Sequence, residues 1–504
     1  MPEMANSLGR PLLEEKGSFK EDQEACIISL EERGKEDFLD CKDYCRRYMV
    51  ESKKLWQIAG PAVFTRLTMY GTGVVTQAFV GHLGDLELAA ISISTTVVVG
   101  LSFGLLLGMG SALETLCGQA FGARQYHMLG VYLQRSWIVL FVVSILLLPI
   151  YFYATPILKL MGQSDDIAQL SGMLAIWFIP QHIGYAFSLP LQRYLQSQLK
   201  NAVIAWMSGA AFLVHIVLSW LFIQKLEMGI VGAAITLNLS LWLPLIGQFL
   251  YVVCGGCPLT WNGFSREAFL DLWPFIKLSV ASGVMLVLEI WYYRVLILLT
   301  GHLKNAQVAL DSLAICMNIN GIEVMIPLGF LAATGVRVAN ELGSGNGKGA
   351  KFAVIVAVTT SMAIGLIFWV LILTFRNDFA LVFTDSAIII EAVSKLAYLL
   401  AFTILLNSVQ PVLSGVAIGS GWQSIVAYVN IACYYVIGVP FGVILGWVFH
   451  LRVLGIWAGM ISGTAVQTLV LVILTYRCDW DREAAKAIEH VKKWSSAPYK
   501  TDLK

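Results

Sequence analysis

Leu272–Gly301, LWPFIKLSVASGVMLVLEIWYYRVLILLTG, is the stretch from which the fold can be read outward. It suits a membrane-spanning helix, since a hydrocarbon core of about 30 Å takes about 20 mostly apolar residues. One acid, Glu289, stands near its middle. A charge facing lipid at that depth costs at least about 2.5–3.5 kcal/mol, so this carboxylate is expected to face a partner, a cavity or water. Helical spacing places Ser282, Met285, Leu286, Tyr292 and Tyr293 on the same face. Aromatics with polar tips beside an acid suit a cavity wall better than a lipid face. The competing reading is a structural glutamate permanently paired with Arg294 or a neighbouring span.

Composition agrees with a membrane protein. Of 504 residues, 57% are hydrophobic and 13% charged, against about 25% charged in a soluble domain. Mean hydropathy is +0.72. A net charge of +1 argues against a nucleic-acid partner. Residues 1–50 are polar and mixed in charge, so no cleavable signal peptide is expected and the first span should act as its own insertion signal. The nine cysteines are scattered, which predicts no disulfide framework. Cys254-Gly-Gly-Cys257 lacks the second pair a zinc site needs, so no metal site is expected.

Apolar runs predict spans near 55–80, 86–110, 128–152, 168–189, 203–223, 229–253, 274–300, 310–336, 352–375, 387–409, 424–448 and 454–476. The expected architecture is an all-α integral membrane protein of twelve transmembrane helices in two pseudo-symmetric six-helix bundles. Residues 1–50 are read as a cytosolic flexible tail, 51–260 as the N-terminal bundle, 261–476 as the C-terminal bundle and 477–504 as a cytosolic C-terminal tail. Asp479–Trp494 within that last tail reads as a short surface helix. Basic residues concentrate in one set of loops, among them Arg46, Arg47, Lys53, Lys54, Arg124, Arg193, Lys200 and Arg266. That set should be cytoplasmic, which puts both termini in the cytosol.

The chain also repeats itself. Gly81-His82-Leu83 recurs as Gly301-His302-Leu303, Gly118-Gln119 aligns with Asn340-Glu341, Pro190 with Pro411, and Gly232 with Gly455. The shifts are 302 − 82 = 220, 341 − 119 = 222, 411 − 190 = 221 and 455 − 232 = 223. A near-constant shift points to duplication of six spans, so the copies share one orientation about an axis along the membrane normal. Such construction argues for transport, and against a receptor or a membrane enzyme.

Gln77–Gly84 (QAFVGHLG), Gly118–Arg124 (GQAFGAR), Pro190–Gln196 (PLQRYLQ), Leu288–Trp291 (LEIW), Val336–Gly343 (VRVANELG), Val409–Gln423 (VQPVLSGVAIGSGWQ) and Ala427–Tyr435 (AYVNIACYY) give the chain a close resemblance to plant multidrug and toxic compound extrusion (MATE) transporters. The Gly-Ser-Gly-Trp-Gln run at 419–423 is similar to the vacuolar flavonoid-transporting branch. The resemblance implies a V-shaped pair of six-helix bundles that exports organic solutes in exchange for H⁺, in preference to Na⁺, with no other cofactor. Glu289 matches the acid that family members use for cation coupling. Two departures stand out: many relatives carry a second acid where this chain has Arg294, and several carry one at the position of Asn407.

Other ionisable residues within spans are few. Glu323, four residues before Pro327, is a second proton-coupling candidate, or the acid of a structural kink. Glu114, Arg135 and Arg337 lie near predicted span ends and read as interfacial. Arg66 either holds an anionic group or snorkels to the interface. His215 reads as a hydrogen-bonded core histidine, with a proton relay as the alternative. The candidate solute cavity comprises Arg66, Tyr292, Tyr293, Arg294, Asn318, Asn320, Asn407 and Gln410. Tyr70, Trp177, Tyr185 and Tyr434 are further rings that could stack on flat solutes.

The expected substrates are flavonoid glycosides, anthocyanins or other secondary metabolites, with alkaloids, xenobiotics and organic acids as alternatives. The short segment Ser111–Tyr126 between the second and third spans argues against citrate. The expected protein is a monomer in the bilayer of the vacuolar membrane, or of the plasma membrane. A lipid-linked precursor flippase of related fold would favour a strongly cationic cavity. A sensor or scaffold would need a soluble domain that neither tail supplies.

Overall fold

A computed structural model describes residues 41–270, 272–301 and 306–495. The expected tail up to residue 40, the repeat residues His302 and Leu303, and the last nine residues lie outside the described ones. The long helices are α1 (Cys41–Gly81), α2 (Asp85–Gly122), α3 (Tyr126–Phe152), α4 (Asp165–Trp177, continued by Ile179–Ser197), α5 (Asn201–Lys225) and α6 (Gly229–Gly256). After the repeat come α7 (Leu272–Gly301), α8 (Ala306–Gly343), α9 (Gly347–Thr374), α10 (Ala387–Asn407, continued by Gln410–Ser420), α11 (Gln423–Val448) and α12 (Arg452–Tyr476). An amphipathic α13 follows at Trp480–Ser495. Among the described residues, ten helices combine span length with a span's apolarity. The remaining two of the twelve, α1 and the interrupted α4, are richer in Thr, Gln and Arg, which have an interior use described below.

Two units divide the chain. The described part of Met1–Lys53 is the beginning of α1; Lys54–Lys504 forms the second unit and contains all that follows. Helices overrun the expected spans where polar residues are buried by other helices. Ser111–Gly122, read from sequence as mostly connecting loop, is helical, and Ser111 to Ala120 are buried without exception. Helix α1 likewise starts at Cys41, inside the segment expected to be a flexible tail. Pro327 does not interrupt α8. The interruptions fall at Phe178 and at Ser408-Val409, just before Pro180 and Pro411, which lack the N–H that would continue the preceding turn.

Close approach of backbones explains several glycines and makes the duplication visible. A Cβ on Gly108 of α2 would lie 2.7 Å from Gly283 Cα of α7, and one on Gly329 of α8 would lie 2.9 Å from Val63 N of α1. These contacts are repeat equivalents, since 329 − 108 = 221 and 283 − 63 = 220. The paired segments around Gly122 and Gly343 touch each other: a Cβ at Gly122 would lie 2.1 Å from Asn340 O, and one at Gly343 2.1 Å from Gln119 O. Equivalent segments meet in this way where they straddle a two-fold axis. Side chains complete the junction. Gln119 Nε2 donates to Gly419 O at 3.1 Å, and Gln423 Nε2 to Thr115 Oγ1 at 2.8 Å.

Two large apolar clusters occupy the two halves. One draws on Val80 through Phe275 and the other on Tyr292 through Met460. The expected surface helix is present as α13. Its Trp480, Ala484 and Ala487 pack on Val338, Leu342, Ala350 and Val354 of α8 and α9, and Glu483 Oε2 accepts from Trp422 Nε1 at 3.1 Å.

Candidate functional site

Helix α7 turns the face predicted from sequence inward: Ser282, Met285, Leu286 and Tyr292 are buried and Glu289 is half-buried. Glu289 Oε1 accepts from Gln410 Nε2 at 3.0 Å, and Gln410 also donates to Ser414 Oγ at 3.1 Å. Glu289 Oε2 is buried without a hydrogen-bond partner. Gln410 reaches the acid because it sits at the restart of α10, where the interruption at Ser408-Val409 redirects the chain. One helical turn away, Tyr293 OH donates to Asn407 Oδ1 at 3.1 Å, and Asn407 Nδ2 donates to Asn320 Oδ1 at 3.0 Å. Glu323 is buried on α8, its Oε2 also unpartnered. Glu323 lies three residues beyond Asn320 on α8, one helical turn along.

The structure therefore brings together Glu289, Tyr293, Asn320, Glu323, Asn407 and Gln410. Arg294 and Asn318 are exposed, and no ion pair joins Arg294 to Glu289. Tyr292 is a packing residue, with its hydroxyl donating to Met460 O at 2.7 Å and its ring stacked on Tyr434 at 4.3 Å. The crevice beside Tyr292 and Tyr293 has a volume of only about 10 Å³, roughly the room one water needs.

Arg66 lies elsewhere. It lines a cavity of about 300 Å³ in the first half, a size at the lower end for small-molecule sites. Walls come from α1, α2, α4, α5 and α6. Thr65, Thr68, Thr72 and Thr76 of α1 form a ladder of hydroxyls, and Phe103, Tyr185 and Phe212 supply rings. Tyr185 is thus the one residue of the expected aromatic set that lines this space; Trp177 is exposed. In α2 a wide π-helical segment, Ser94–Val99, contributes Thr95 and Val99. Such turns widen a helix and occur often at functional sites. His215 is fully buried behind the wall, its Nδ1 2.7 Å from Ser240 Oγ and its Nε2 3.0 Å from Thr76 Oγ1.

Several charged residues expected at membrane interfaces or in loops are interior. Glu114 is 0% exposed and forms an ion pair with Arg193 at 2.8 Å. Arg193 had the look of a basic loop residue, but α4 continues to Ser197 and carries it inside. Arg135 is buried and donates to Glu267 O at 3.1 Å; Arg337 pairs with Glu341 at 2.6 Å. A buried charge persists only when paired and hydrogen-bonded, and these partners are distant in sequence or one turn away. The threonine ladder was the missed signal for the cavity. Its spacing of three, four and four residues marks one helix face.

Twelve long helices in a duplicated frame, with interior carboxyls in one half and a polar cavity in the other, define a polytopic membrane transporter. Residues 61–221 and 281–444 match the family model MatE. The chain belongs to the MATE family, whose members are efflux antiporters of drugs and toxic compounds and not enzymes. It is 62% identical over 451 residues to Protein DETOXIFICATION 27 of Arabidopsis thaliana, covering 89% of this chain and 93% of that protein. Protein DETOXIFICATION 26 of Arabidopsis thaliana is 59% identical over 450 residues, with 89% and 92% coverage. The crystal structure of the eukaryotic MATE transporter AtDTX14 superposes with a TM-score of 0.84 at 36% identity, covering 88% of this chain and 99% of that one.

Proposed function

We propose that this protein is a proton-coupled antiporter that moves organic solutes out of the cytosol, with Glu289 as the coupling carboxyl and Glu323 as its companion. The observation that carries this reading is a carboxyl in a membrane helix with one oxygen held by Gln410, the other buried and unpartnered, and no guanidinium or ammonium bonded to it among the described residues. A carboxylate locked in an ion pair could not exchange its proton; one held by an amide can. The amide N–H beside Oε1 also disfavours a metal cation there, which supports H⁺ over Na⁺. Tyr293, Asn407 and Asn320 link α7, α10 and α8, so a change of charge at Glu289 alters the packing of three helices that a rocking half must carry.

On this reading the solute occupies the cavity lined by Arg66 and the threonine ladder. Its hydroxyls and rings suit flat, polyhydroxylated solutes such as flavonoid glycosides or anthocyanins, taken up into the vacuole by a monomer with both termini in the cytosol. Uptake of these solutes into vesicles holding the purified protein tests the proposal. A pH gradient should drive it, at about 1.4 kcal/mol per proton for each pH unit. Glu289→Gln should insert normally and show no gradient-driven uptake. Undiminished uptake by that variant would remove Glu289 from the mechanism.

A further inference from the structure

We infer that the first-half cavity selects hydroxylated organic anions, with Arg66 as the specificity-determining residue; this rests on the reading of that cavity as the solute site. Among the described residues, Arg66 is the one lining the cavity that carries a formal charge near neutral pH, and no acid lines it. The nearby carboxylate, Glu114, is already taken by Arg193 at 2.8 Å. Two guanidinium groups and one carboxylate therefore leave one positive charge in excess around the cavity. An uncompensated interior charge is unfavourable, and a bound anion offsets it. A planar guanidinium also presents paired donors that match a carboxylate or sulfate.

The remaining wall sets the second half of the specificity. Thr65 donates its proton to Pro61 O, Thr68 to Thr65 O and Thr72 to Thr68 O, each at 2.9 Å. With their protons committed to backbone carbonyls, these oxygens keep lone pairs that accept from ligand hydroxyls. The cavity thus offers one strong cationic donor and a row of acceptors. Phe103, Tyr185 and Phe212 complete it with apolar faces for a ring system. A ligand with a carboxylate at one end, hydroxyls along its length and a flat core uses all three.

The test compares a flavonoid glucuronide with the glucoside of the same flavonoid, which carries CH₂OH where the glucuronide carries a carboxylate. Binding is measured on the purified full chain without a gradient, in the native and Glu289→Gln backgrounds. The glucuronide should bind on the order of tenfold tighter or more. Arg66→Gln should erase the preference in both backgrounds, and Arg66→Lys should restore part of it. On the unaltered protein the methyl ester of the glucuronide should bind as the glucoside does. Equal binding of acid and ester, or a preference that survives Arg66→Gln, would overturn the inference. Arg66-dependent selectivity without proton-driven uptake would instead overturn the proton-coupled reading and leave the anion site standing.

Discussion

The two halves of this molecule carry different chemistry at their described sites. Around Arg66 there are about 300 Å³ of space, hydroxyls and a guanidinium; around Tyr293 there are about 10 Å³, two carboxyls and a chain of amides. Yet both sit on the same duplicated frame. Glu289 occupies the repeat position of Thr68 (289 − 68 = 221), and Gly335 that of Glu114 (335 − 114 = 221). The second pair even meets: a Cβ on Gly335 would lie 2.1 Å from Glu114 Oε1. Backbone contacts have been kept while the polar chemistry has separated, which on the proposed reading leaves one half to hold the solute and the other to hold the proton.

The largest expected effect separates the halves outright. Glu289→Gln should reduce pH-driven uptake in vesicles to background while solute still binds to the purified chain. Loss of binding along with uptake would mean that the halves share one site. Next in size is Glu114→Gln, which leaves Arg193 buried without its carboxylate. It should cost about 3–5 kcal/mol of stability, seen as a lower unfolding midpoint in detergent. An unchanged midpoint would show that the pair is not a structural element of the first half.

Smaller effects probe the shared frame. Gly108→Val and Gly329→Val introduce side chains at equivalent backbone crossings, and each should cost about 1–3 kcal/mol through overpacking. Matching losses in thermal unfolding support the equivalence; a loss at one site alone breaks it. Tyr293→Phe removes the hydrogen bond to Asn407 and should cost about 0.5–1.5 kcal/mol. It should slow uptake severalfold without abolishing the dependence on pH.

Much of this was legible along the chain. Helix α7, its buried face and its acid follow from apolar length and 3.6-residue periodicity, and the duplication follows from a constant shift. Glu289, Gln410, Asn407, Asn320, Tyr293 and Glu323 were all nameable, because interior polar residues stand out in apolar spans. What escaped was long-range. Ser111–Gly122 looks like a loop because its composition is polar, and only the packing of α3, α4, α8 and α10 against it makes it a buried helix. Arg193 looks cytoplasmic because its partner Glu114 lies 79 residues earlier (193 − 114 = 79). The exposure of Arg294, and the cavity beside Arg66, depend on how whole helices lean, which no local window records.

The central claim is that Glu289 couples a proton to solute held elsewhere. If so, solute and proton must oppose each other through the two-state frame, and each must lower the other's affinity by the same factor. Equilibrium binding of a flavonoid glycoside across a pH series, to the native chain and to Glu289→Gln, measures this directly. The native affinity should fall as the pH falls, and the affinity of Glu289→Gln should be flat with pH. A native affinity indifferent to pH, or a Glu289→Gln protein with the native pH profile, would contradict it.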